Sequence, residues 1–316
     1  MQTSEQTSQL KIAIVGKGAI GGLIASKCQS QKIPYQLLLR QTSSNKIEVE
    51  QSLPFILKIE DILGNTHTLA TKVAEIGQDN NFDLVILPIK AYQISDALHS
   101  LKSTLLPNQV IVLLHNGMGT IEEVKQHFPN NPCIAGTTSY GAYKCNANYV
   151  KETGLGETHL GWVTPLRSAQ SAKIKRVLAS LLPPTIWHSD ISLALWRKLT
   201  INGVINPLTA IHNIKNGQLA EEKYTEQISR LCGEISCIMN HLGYTDSTAD
   251  LRDLVMSVIH KTANNFSSMH QDIQHNRPTE IDYINGYISK AAASLSLPAT
   301  ENSKLCVQIK RLETSS

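Results

Sequence analysis

The feature that most constrains the fold is a glycine-rich turn between a short apolar run and a helical segment. Residues 11–15 read KIAIV, the turn GKGAIGG follows, and a second apolar run, YQLLLR, occupies residues 35–40. This order predicts strand, turn, helix and strand. Further continuous apolar runs at 83–90 and 109–117 are separated by helical segments, which predicts a parallel sheet covered on both faces.

The rest of the chain predicts two domains. A hairpin is expected around the turn Gly64-Asn65, and a helix is expected to end before Pro183. Since 316 residues exceed the usual size of one hydrophobic core, we predict an α/β domain at 10–187 and an all-helical domain at 188–316. The helices predicted in the second domain cover 190–210, 219–241, 247–267, 279–294 and 300–312.

Composition excludes several classes of function. A hydrophobic content of 41% and a charged content of 17% are typical of a soluble globular protein, and a net charge of +3 does not indicate a nucleic-acid partner. We expect a cytoplasmic protein without a membrane partner, because the sequence has no apolar run of about 20 residues and no signal-peptide pattern. The six cysteines form no C-x-x-C pair, so we expect reduced thiols and no metal site.

The glycines of the turn form G-x-G-x-x-G in the context that a dinucleotide site requires. Gly16 permits a tight turn, Gly18 lets the backbone approach a pyrophosphate, and Gly21 allows close packing of helix on strand. The N-terminus of the following helix then offers N–H groups to the phosphates. The alternative is a glycine-rich turn without a ligand. The residues predicted to bind the cofactor here are Gly16, Lys17, Gly18, Ala19, Ile20 and Gly21.

The second predicted strand ends in Arg40 rather than in an acidic residue. An acidic residue at this position binds the ribose 2′-OH of NAD, whereas an Arg accommodates the 2′-phosphate of NADP. A guanidinium suits a phosphate because it donates two hydrogen bonds at once. We therefore predict NADPH as the cofactor; the alternative is an exposed surface Arg. Lys17 could add positive charge to the same site or be solvated.

Polar side chains also follow two other predicted strands. Lys90 and Gln93 follow the run ILPI, and His115 and Asn116 follow VIVLL. Ligands of open α/β sheets bind outside the carboxyl ends of the strands. Lys90 could therefore reach a cofactor phosphate, and Asn116 could contact the nicotinamide ribose or the substrate. His115 is assigned no catalytic role, because a single His at a strand end is more often structural.

The segment LALWRKLTINGVINPLTA, residues 193–210, carries a polar row on a predicted helix. Lys198, Asn202 and Asn206 are spaced by four residues and therefore lie on one side of the helix. Asn is a poor residue for a helix interior, so the row favours a binding cleft over a solvated face. As an ammonium, Lys198 could donate a proton to the alkoxide that forms when a ketone is reduced.

A second polar cluster occupies residues 264–288. Pro278 followed by Thr279 and Glu280 resembles a helix start with an acidic residue in the first turn. Glu280 could hold Lys198 or a substrate hydroxyl, although its spacing alone is explained by compensation of the helix dipole. Ser268 is a short polar group able to donate to a carboxylate.

Together these residues resemble the ketopantoate reductase (2-dehydropantoate 2-reductase) family. The matching segments span nearly the whole chain after the first ten residues, and the last two are highly specific. One departure is Lys17, where a small or apolar residue is expected. The matching segments are GKGAIG at 16–21, IKAYQ at 89–93, HNGM at 115–118, TTSYGA at 137–142, WRKLTINGVINPLTAI at 196–211 and SSMHQDIQHNRPTEIDYING at 267–286.

The resemblance implies a fold, a reaction and site residues. The fold is an α/β Rossmann-type N-terminal domain followed by an all-α C-terminal domain of the 6-phosphogluconate dehydrogenase type. The reaction is NADPH-dependent reduction of 2-dehydropantoate to (R)-pantoate, in pantothenate and coenzyme A biosynthesis. Lys198 is the implied general acid, and Glu280 partners the substrate hydroxyl and the lysine. The other implied roles are substrate binding by Asn116, Asn202, Asn206, Asn216 and Ser268, and cofactor binding by Arg40, Lys90, Gln93 and Asn116.

Two other functions are compatible with the same residues. The chain could reduce another branched 2-keto acid, which relative kcat/KM values would reveal. It could also be a non-catalytic NADPH-binding regulator, although Lys198, Asn202 and Glu280 argue against that hypothesis. The sequence leaves open whether the protein is a monomer or a homodimer.

Overall fold

The chain divides into two compact units. The computed structural model describes residues 9–40, 54–78 and 80–314. The α/β unit contains the described residues up to His115 together with Thr120–Ile191, and the helical unit contains Asn116–Gly119 together with the residues from Ser192 onwards. The short segment 116–119 therefore belongs to the helical unit, although it directly follows a strand of the α/β unit.

The α/β unit is built from two sheets and the helices that cover them. A 3-10 turn at Ala91–Gln93 follows the sixth strand. The elements of this unit are β1 (Ile12–Val15), α1 (Ala19–Ser30), β2 (Tyr35–Leu39), β3 (Phe55–Glu60), β4 (Thr66–Thr71), β5 (Val73–Glu75), β6 (Leu84–Leu87), α2 (Ile94–Leu101), β7 (Val110–Leu114), α3 (Thr120–His127), β8 (Cys133–Thr138), β9 (Gly141–Asn146), β10 (Tyr149–Gly154), β11 (Thr158–Thr164), α4 (Gln170–Leu181) and β12 (Thr185–His188).

The larger sheet has the order β12-β11-β8-β7-β6-β1-β2-β5. The predicted parallel sheet is confirmed from β8 to β5, where each neighbouring pair is parallel. Strands β1, β6 and β7 are buried at every position, which explains their continuous apolar sequences. The sheet is not parallel throughout, because β11 pairs antiparallel with β8. The apolar-run criterion missed β11 and β12, whose sequences THLGWVT and TIWH contain no such run.

The smaller sheet has the order β4-β3-β10-β9 and packs against α1. The predicted hairpin is confirmed as β3 and β4. We call the surface that carries Leu57, Ile59 and Val150 the inner face; all three side chains are buried. Gly22 of α1 fits closely on this face, since a Cβ there would lie 3.1 Å from Val150 Cγ2 and 3.3 Å from Ile59 Cδ1. Helix α1 therefore contacts both sheets.

The helical unit confirms the predicted all-helical character within the described residues. Two 3-10 turns, Asn216–Ala220 and Ile281–Tyr283, join its helices. None of the described helices combines the length and apolar character needed to cross a bilayer. The helices are α5 (Ser192–His212), α6 (Glu222–His241), α7 (Thr248–Lys261), α8 (Ser268–Gln274), α9 (Asn285–Ser294) and α10 (Thr300–Thr314).

Two predicted helices were too long. The helix predicted at 247–267 ends at Lys261, because the chain beyond it binds the neighbouring 3-10 turn. The carbonyls of Ala263 and Asn265 accept hydrogen bonds from the backbone N–H groups of Gly217 and Asn216, both at 3.0 Å. The helix predicted at 279–294 begins only at Asn285.

Helix α5 contains Pro207, which removes one backbone hydrogen bond from the helix interior. The carbonyl that would have accepted it belongs to Gly203, and it accepts instead from Asn285 Nδ2 at 2.8 Å. Asn285 Nδ2 also donates to Asn302 Oδ1 at 3.0 Å, and Asn302 Nδ2 donates to Glu234 Oε2 at 2.8 Å. Asn285 and Asn302 are completely buried. This network therefore supplies the hydrogen-bond donor that Pro207 lacks, and it links α5, α6, α9 and α10.

We predict that Asn285→Ala lowers the free energy of unfolding by about 2 kcal/mol, because the Gly203 carbonyl loses its donor in a buried site. The loss should shrink by about 1 kcal/mol in a Pro207→Ala background, where a backbone N–H can again bond Gly203. Denaturant unfolding of the four proteins of this cycle measures both effects. Ser289→Ala, on the same helix, is the control and should change little. An equal loss of unfolding free energy in both backgrounds would show that Asn285 does not replace the backbone donor that Pro207 lacks.

Candidate active site

The phosphate loop lies between β1 and α1 and has the shape that its glycines predict. Gly16 has a φ of +83°, which favours glycine, and a Cβ there would lie 2.8 Å from Ile89 Cγ2. A Cβ on Gly21 would lie 2.9 Å from the Gly16 carbonyl oxygen. The Gly22 N–H donates to the Gly18 carbonyl at 2.9 Å, so the earlier N–H groups of α1 have no acceptor within the helix. Such groups can bind an anion.

Arg40 directly follows β2, as the sequence predicts, and it is exposed. Its Nη2 atom lies 3.1 Å from Asp96 Oδ2 in the first turn of α2. The side chains are 46% and 68% exposed, so this ion pair contributes little free energy. A phosphate could therefore replace Asp96 as the partner of Arg40 at small cost.

Lys90 and Gln93 lie at the end of β6, around the 3-10 turn. The Gln93 Oε1 atom accepts from the Lys90 backbone N–H at 3.2 Å, and the Gln93 N–H donates to the Lys90 carbonyl at 2.8 Å. The Lys90 side chain is half-buried and that of Gln93 is exposed. Gln93 thus closes the turn that holds Lys90. Contact of either side chain with a cofactor stays a prediction.

His115 and Asn116, the two polar residues that follow β7, belong to different units. His115 Nε2 lies 2.7 Å from Thr120 Oγ1, an arrangement that gives this His a structural partner in the α/β unit. Asn116 belongs to the helical unit, together with Met118, whose N–H donates to the Tyr283 carbonyl at 2.9 Å. Gly117 has a φ of +82°, and a Cβ there would lie 2.6 Å from the Tyr283 oxygen. The segment is therefore held close to the 3-10 turn at Ile281–Tyr283.

The helical unit brings three of the predicted residues together. Asn202 Nδ2 donates to Asn116 Oδ1 at 3.2 Å, and Asn116 Nδ2 donates to Glu280 Oε2 at 3.3 Å. Asn202 is 7% exposed and Glu280 is 4% exposed. The two residues come from distant parts of the sequence, and Asn116 bridges them. Carboxylates are seldom fully buried in proteins, and a buried carboxylate that accepts a hydrogen bond from an amide is typical of a functional site.

Glu280 does not lie in the first turn of an α-helix, so that prediction was wrong. The Thr279 hydroxyl oxygen accepts from the Ile281 N–H at 3.2 Å, and the Glu280 carbonyl accepts from the N–H groups of Tyr283 and Ile284. These bonds form a 3-10 turn, and α9 begins after it. Compensation of a helix dipole therefore does not explain why Glu280 is acidic.

Lys198 lies one turn before Asn202 on α5 and is half-buried. Burial lowers the pKa of the Lys198 ammonium below its ordinary value of 10.5, because the charged form loses hydration. Among the described residues, Lys198 forms no hydrogen bond or ion pair, so no carboxylate opposes this effect. Its neighbour Arg197 binds the buried Asp246 through both Nε and Nη2 at 2.8 Å. The implied contact of Lys198 with Glu280 stays a prediction.

Asn206 and Asn216 are also buried, each with 7% exposure. The Asn216 Nδ2 atom donates to Thr262 Oγ1 at 2.9 Å, while its Oδ1 atom is buried with no hydrogen-bond partner in the described part of the chain. Ser268 is exposed at the first position of α8, and the preceding Ser267 is the buried residue that caps this helix. No hydrogen bond joins Asn216 or Ser268 to the polar row within the described ranges.

Some residues that build the site were not identified from the sequence. The Thr262 hydroxyl oxygen accepts a hydrogen bond from Asn216, and Asp246 forms an ion pair with Arg197, the residue before Lys198. Neither has a local signal, because each acts through a partner more than 40 positions away. In residues 9–40, 54–78 and 80–314, no group of three or more His, Cys, Asp or Glu side chains is placed to hold a metal ion.

A glycine-rich loop between a parallel strand and a helix, and a buried link of Asn202, Asn116 and Glu280 in a helical unit, are typical of a nucleotide-dependent oxidoreductase. Two family models match the chain: "Ketopantoate reductase PanE/ApbA" at residues 12–164 and "Ketopantoate reductase PanE/ApbA C terminal" at residues 190–313. The chain belongs to the ketopantoate reductase family and is an oxidoreductase.

Individual relatives cover nearly the whole chain. The 2-dehydropantoate 2-reductase of Escherichia coli O157:H7 is 38% identical over 311 residues, which are 96% of each chain. That of Vibrio cholerae is 34% identical and covers 97% of this chain and 99% of its own. Among solved structures, a probable 2-dehydropantoate 2-reductase from Bacillus subtilis is 26% identical, with a TM-score of 0.78 and coverage of 96% and 100%. A D-mandelate dehydrogenase with NADH and anilino(oxo)acetate has a TM-score of 0.84 at 22% identity and coverage of 97% and 99%, which shows a shared fold.

We predict that Gly21→Ala weakens binding of a pyridine dinucleotide by about tenfold, because the new methyl group displaces the Gly16 carbonyl and reshapes the loop. Fluorescence titration of the dinucleotide measures the change. Gly154→Ala is the matched control, since a Cβ at Gly154 meets nothing within 4 Å. Unchanged affinity in Gly21→Ala, with normal thermal stability, would contradict the assignment of the loop.

Proposed function

We propose that the protein reduces 2-dehydropantoate to (R)-pantoate with NADPH, a step in the biosynthesis of pantothenate and coenzyme A. The observation that carries the proposal is the buried link of Asn202, Asn116 and Glu280, together with the partly buried Lys198 one turn before Asn202. The names of the relatives that cover the whole chain support the substrate. A cytoplasmic location and a monomeric or dimeric state remain predictions.

The reaction requires a hydride at the ketone carbon and a proton at its oxygen. NADPH, when bound, supplies the hydride. Lys198 donates a proton from its ammonium to the alkoxide oxygen and is left as a neutral amine, which balances the charge of the step. Burial favours this transfer, because it lowers the pKa of Lys198 towards the range where a general acid is effective near neutral pH. Before transfer, the same charge stabilises the developing negative oxygen.

The remaining polar residues position the substrate. Glu280 accepts a hydrogen bond from the substrate hydroxyl, and Asn116 fixes the carboxylate orientation by donating to Oε2. Asn202 in turn holds Asn116 by donating to its Oδ1. We assign the binding of substrate polar groups to Asn202, Asn206 and Asn216. The exposed Ser268 hydroxyl donates to the substrate carboxylate.

The residues around β1, β2 and β6 fit NADPH. Arg40 stands where an acidic residue would select NADH, and its present partner Asp96 is exposed and weakly held. Lys90 adds a second cation for the 2′-phosphate, and Gln93 contacts the cofactor near it. The loop Gly16, Lys17, Gly18, Ala19, Ile20 and Gly21 binds the pyrophosphate through the backbone N–H groups at the start of α1, while the Gly16 N–H donates to the Leu38 carbonyl.

The function is tested by following NADPH absorbance with a panel of 2-keto acids. We expect the highest kcat/KM with 2-dehydropantoate and a much lower value with NADH. Faster oxidation with another branched 2-keto acid would keep the chemistry and overturn the substrate. A folded protein that binds NADPH and oxidises it with no keto acid would favour a regulatory role instead.

Lys198→Met should lower kcat by about 100-fold or more, because the general acid is lost, while the Kd of NADPH changes less than about twofold. Steady-state kinetics and nucleotide titration give the two values. Lys290→Met, which removes an exposed lysine from α9, should leave both unchanged. Near-normal turnover of Lys198→Met would remove Lys198 from the mechanism.

Arg40→Ala should raise the Kd of NADPH by about tenfold and leave the Kd of NADH almost unchanged, since only NADPH carries the 2′-phosphate. Asp96→Asn should tighten NADPH binding slightly, because it removes the competing carboxylate. Direct titration of both nucleotides distinguishes these effects. Equal weakening of NADPH and NADH in Arg40→Ala would show that Arg40 does not recognise the 2′-phosphate.

A further inference from the structure

Lys17 is the residue of the phosphate loop that departs from the family pattern, and its side chain has a defined position. The ammonium lies 4.6 Å from the centre of the Phe55 ring, at the first residue of β3. Such a contact holds a lysine in place without neutralising its charge. The Gly16 N–H donates to the Leu38 carbonyl at 2.8 Å, so the backbone of Lys17 lies beside the end of β2.

A second lysine approaches the same place from the smaller sheet. Lys144 of β9 is aligned with Val150 of β10, and the two residues therefore share the inner face. Val150 is one of the three residues that a Cβ at Gly22 would meet, one turn after the N-terminus of α1. The register of two strands and the packing of α1 thus place Lys144 near the phosphate loop, although 126 positions separate Lys144 from Gly18.

The charge of Lys17 acts on the Lys144 ammonium. Partial burial and the charge of Lys17 lower the pKa of Lys144 below its ordinary value. Within the described residues, neither lysine has an ion pair or hydrogen bond with a carboxylate. Lys151, on the opposite face of the smaller sheet, differs in this respect, because its Nζ atom lies 2.7 Å from Glu60 Oε1. Two lysines that approach one loop and have no carboxylate partner among the described residues favour the binding of an anion.

We infer that Lys17 and Lys144 form a phosphate-binding pair that, with Arg40, recognises the adenosine 2′-phosphate of NADPH. This inference rests on the proposed function. The 2′-phosphate is a phosphomonoester with a charge near −2 at neutral pH, which matches two or more cations. The pyrophosphate has a lower charge per phosphorus and is bound by the N–H groups of the loop. The position of Lys17 beside the end of β2 also favours the 2′-phosphate, because that end of the strand faces the adenosine ribose.

The test compares Kd values of NADPH and NADH for Lys17→Gln, Lys144→Gln and the double variant. We expect each single change to raise the Kd of NADPH by about fivefold to twentyfold and that of NADH by less than about twofold. Lys144→Arg should retain the preference for NADPH. Lys58→Gln is the matched control, because it removes the same charge from the opposite face of the same sheet, where Lys58 contacts the Tyr149 ring.

Each outcome decides the inference. Selective loss of NADPH affinity in both single variants, with Lys58→Gln unchanged, supports the pair. Equal weakening of NADPH and NADH would assign the lysines to the pyrophosphate, and unchanged affinities would assign them no cofactor role; either result overturns the inference but leaves the proposed reduction intact. If the wild-type protein does not bind NADPH, the proposed function fails and the inference fails with it.

Discussion

The helical unit depends on one constraint: α5 carries polar groups through an apolar interior, and each must find a partner. The constraint is met in two ways. Where Pro207 removes a backbone donor, Asn285 supplies another to the Gly203 carbonyl. Where Asn202 is buried, it donates to Asn116, which belongs to this unit through the segment 116–119. Lys198 differs, because within the described residues it has no hydrogen-bond or ion-pair partner. Its partial burial lowers the pKa of the ammonium, which suits the role of proton donor that we propose for it.

The cofactor site that we propose in the α/β unit imposes a different constraint, because the backbone has to come close to an anion. Gly16 and Gly21 meet this constraint within the loop, because a Cβ at either position would collide with Ile89 or with the loop backbone. The cations around the loop come from more distant places. Arg40 follows β2, whereas Lys144 belongs to the smaller sheet, which packs on α1. In the cofactor site that we propose, both sheets supply positive charge and the glycines supply the shape.

The sequence predicted the parts of the structure that follow from local patterns. The order β1, α1, β2 and the glycine loop could be predicted because continuous apolar runs and G-x-G-x-x-G act over a few residues. Strands β9 and β10 were missed, since GAYKCN and YVKETG are largely polar and form strands only by pairing with each other and with β3. The position of Glu280 in a 3-10 turn could not be predicted, because the bonds of Thr279 compete with an ordinary helix start. The link from Asn202 to Glu280 through Asn116 depends on the tertiary structure alone.

The proposed proton transfer depends on the partial burial of the Lys198 ammonium, which has no ion-pair partner among the described residues, and NMR titration of its side chain measures the effect of this burial. Comparison of wild-type and Lys198→Met spectra assigns the Lys198 signal, and its chemical shift is followed with pH. We expect a pKa below the ordinary value of 10.5, so that Lys198 loses its proton at a lower pH than an exposed lysine does. A pKa at or above 10.5 would show a solvated or carboxylate-paired lysine and would contradict its proposed role as the proton donor.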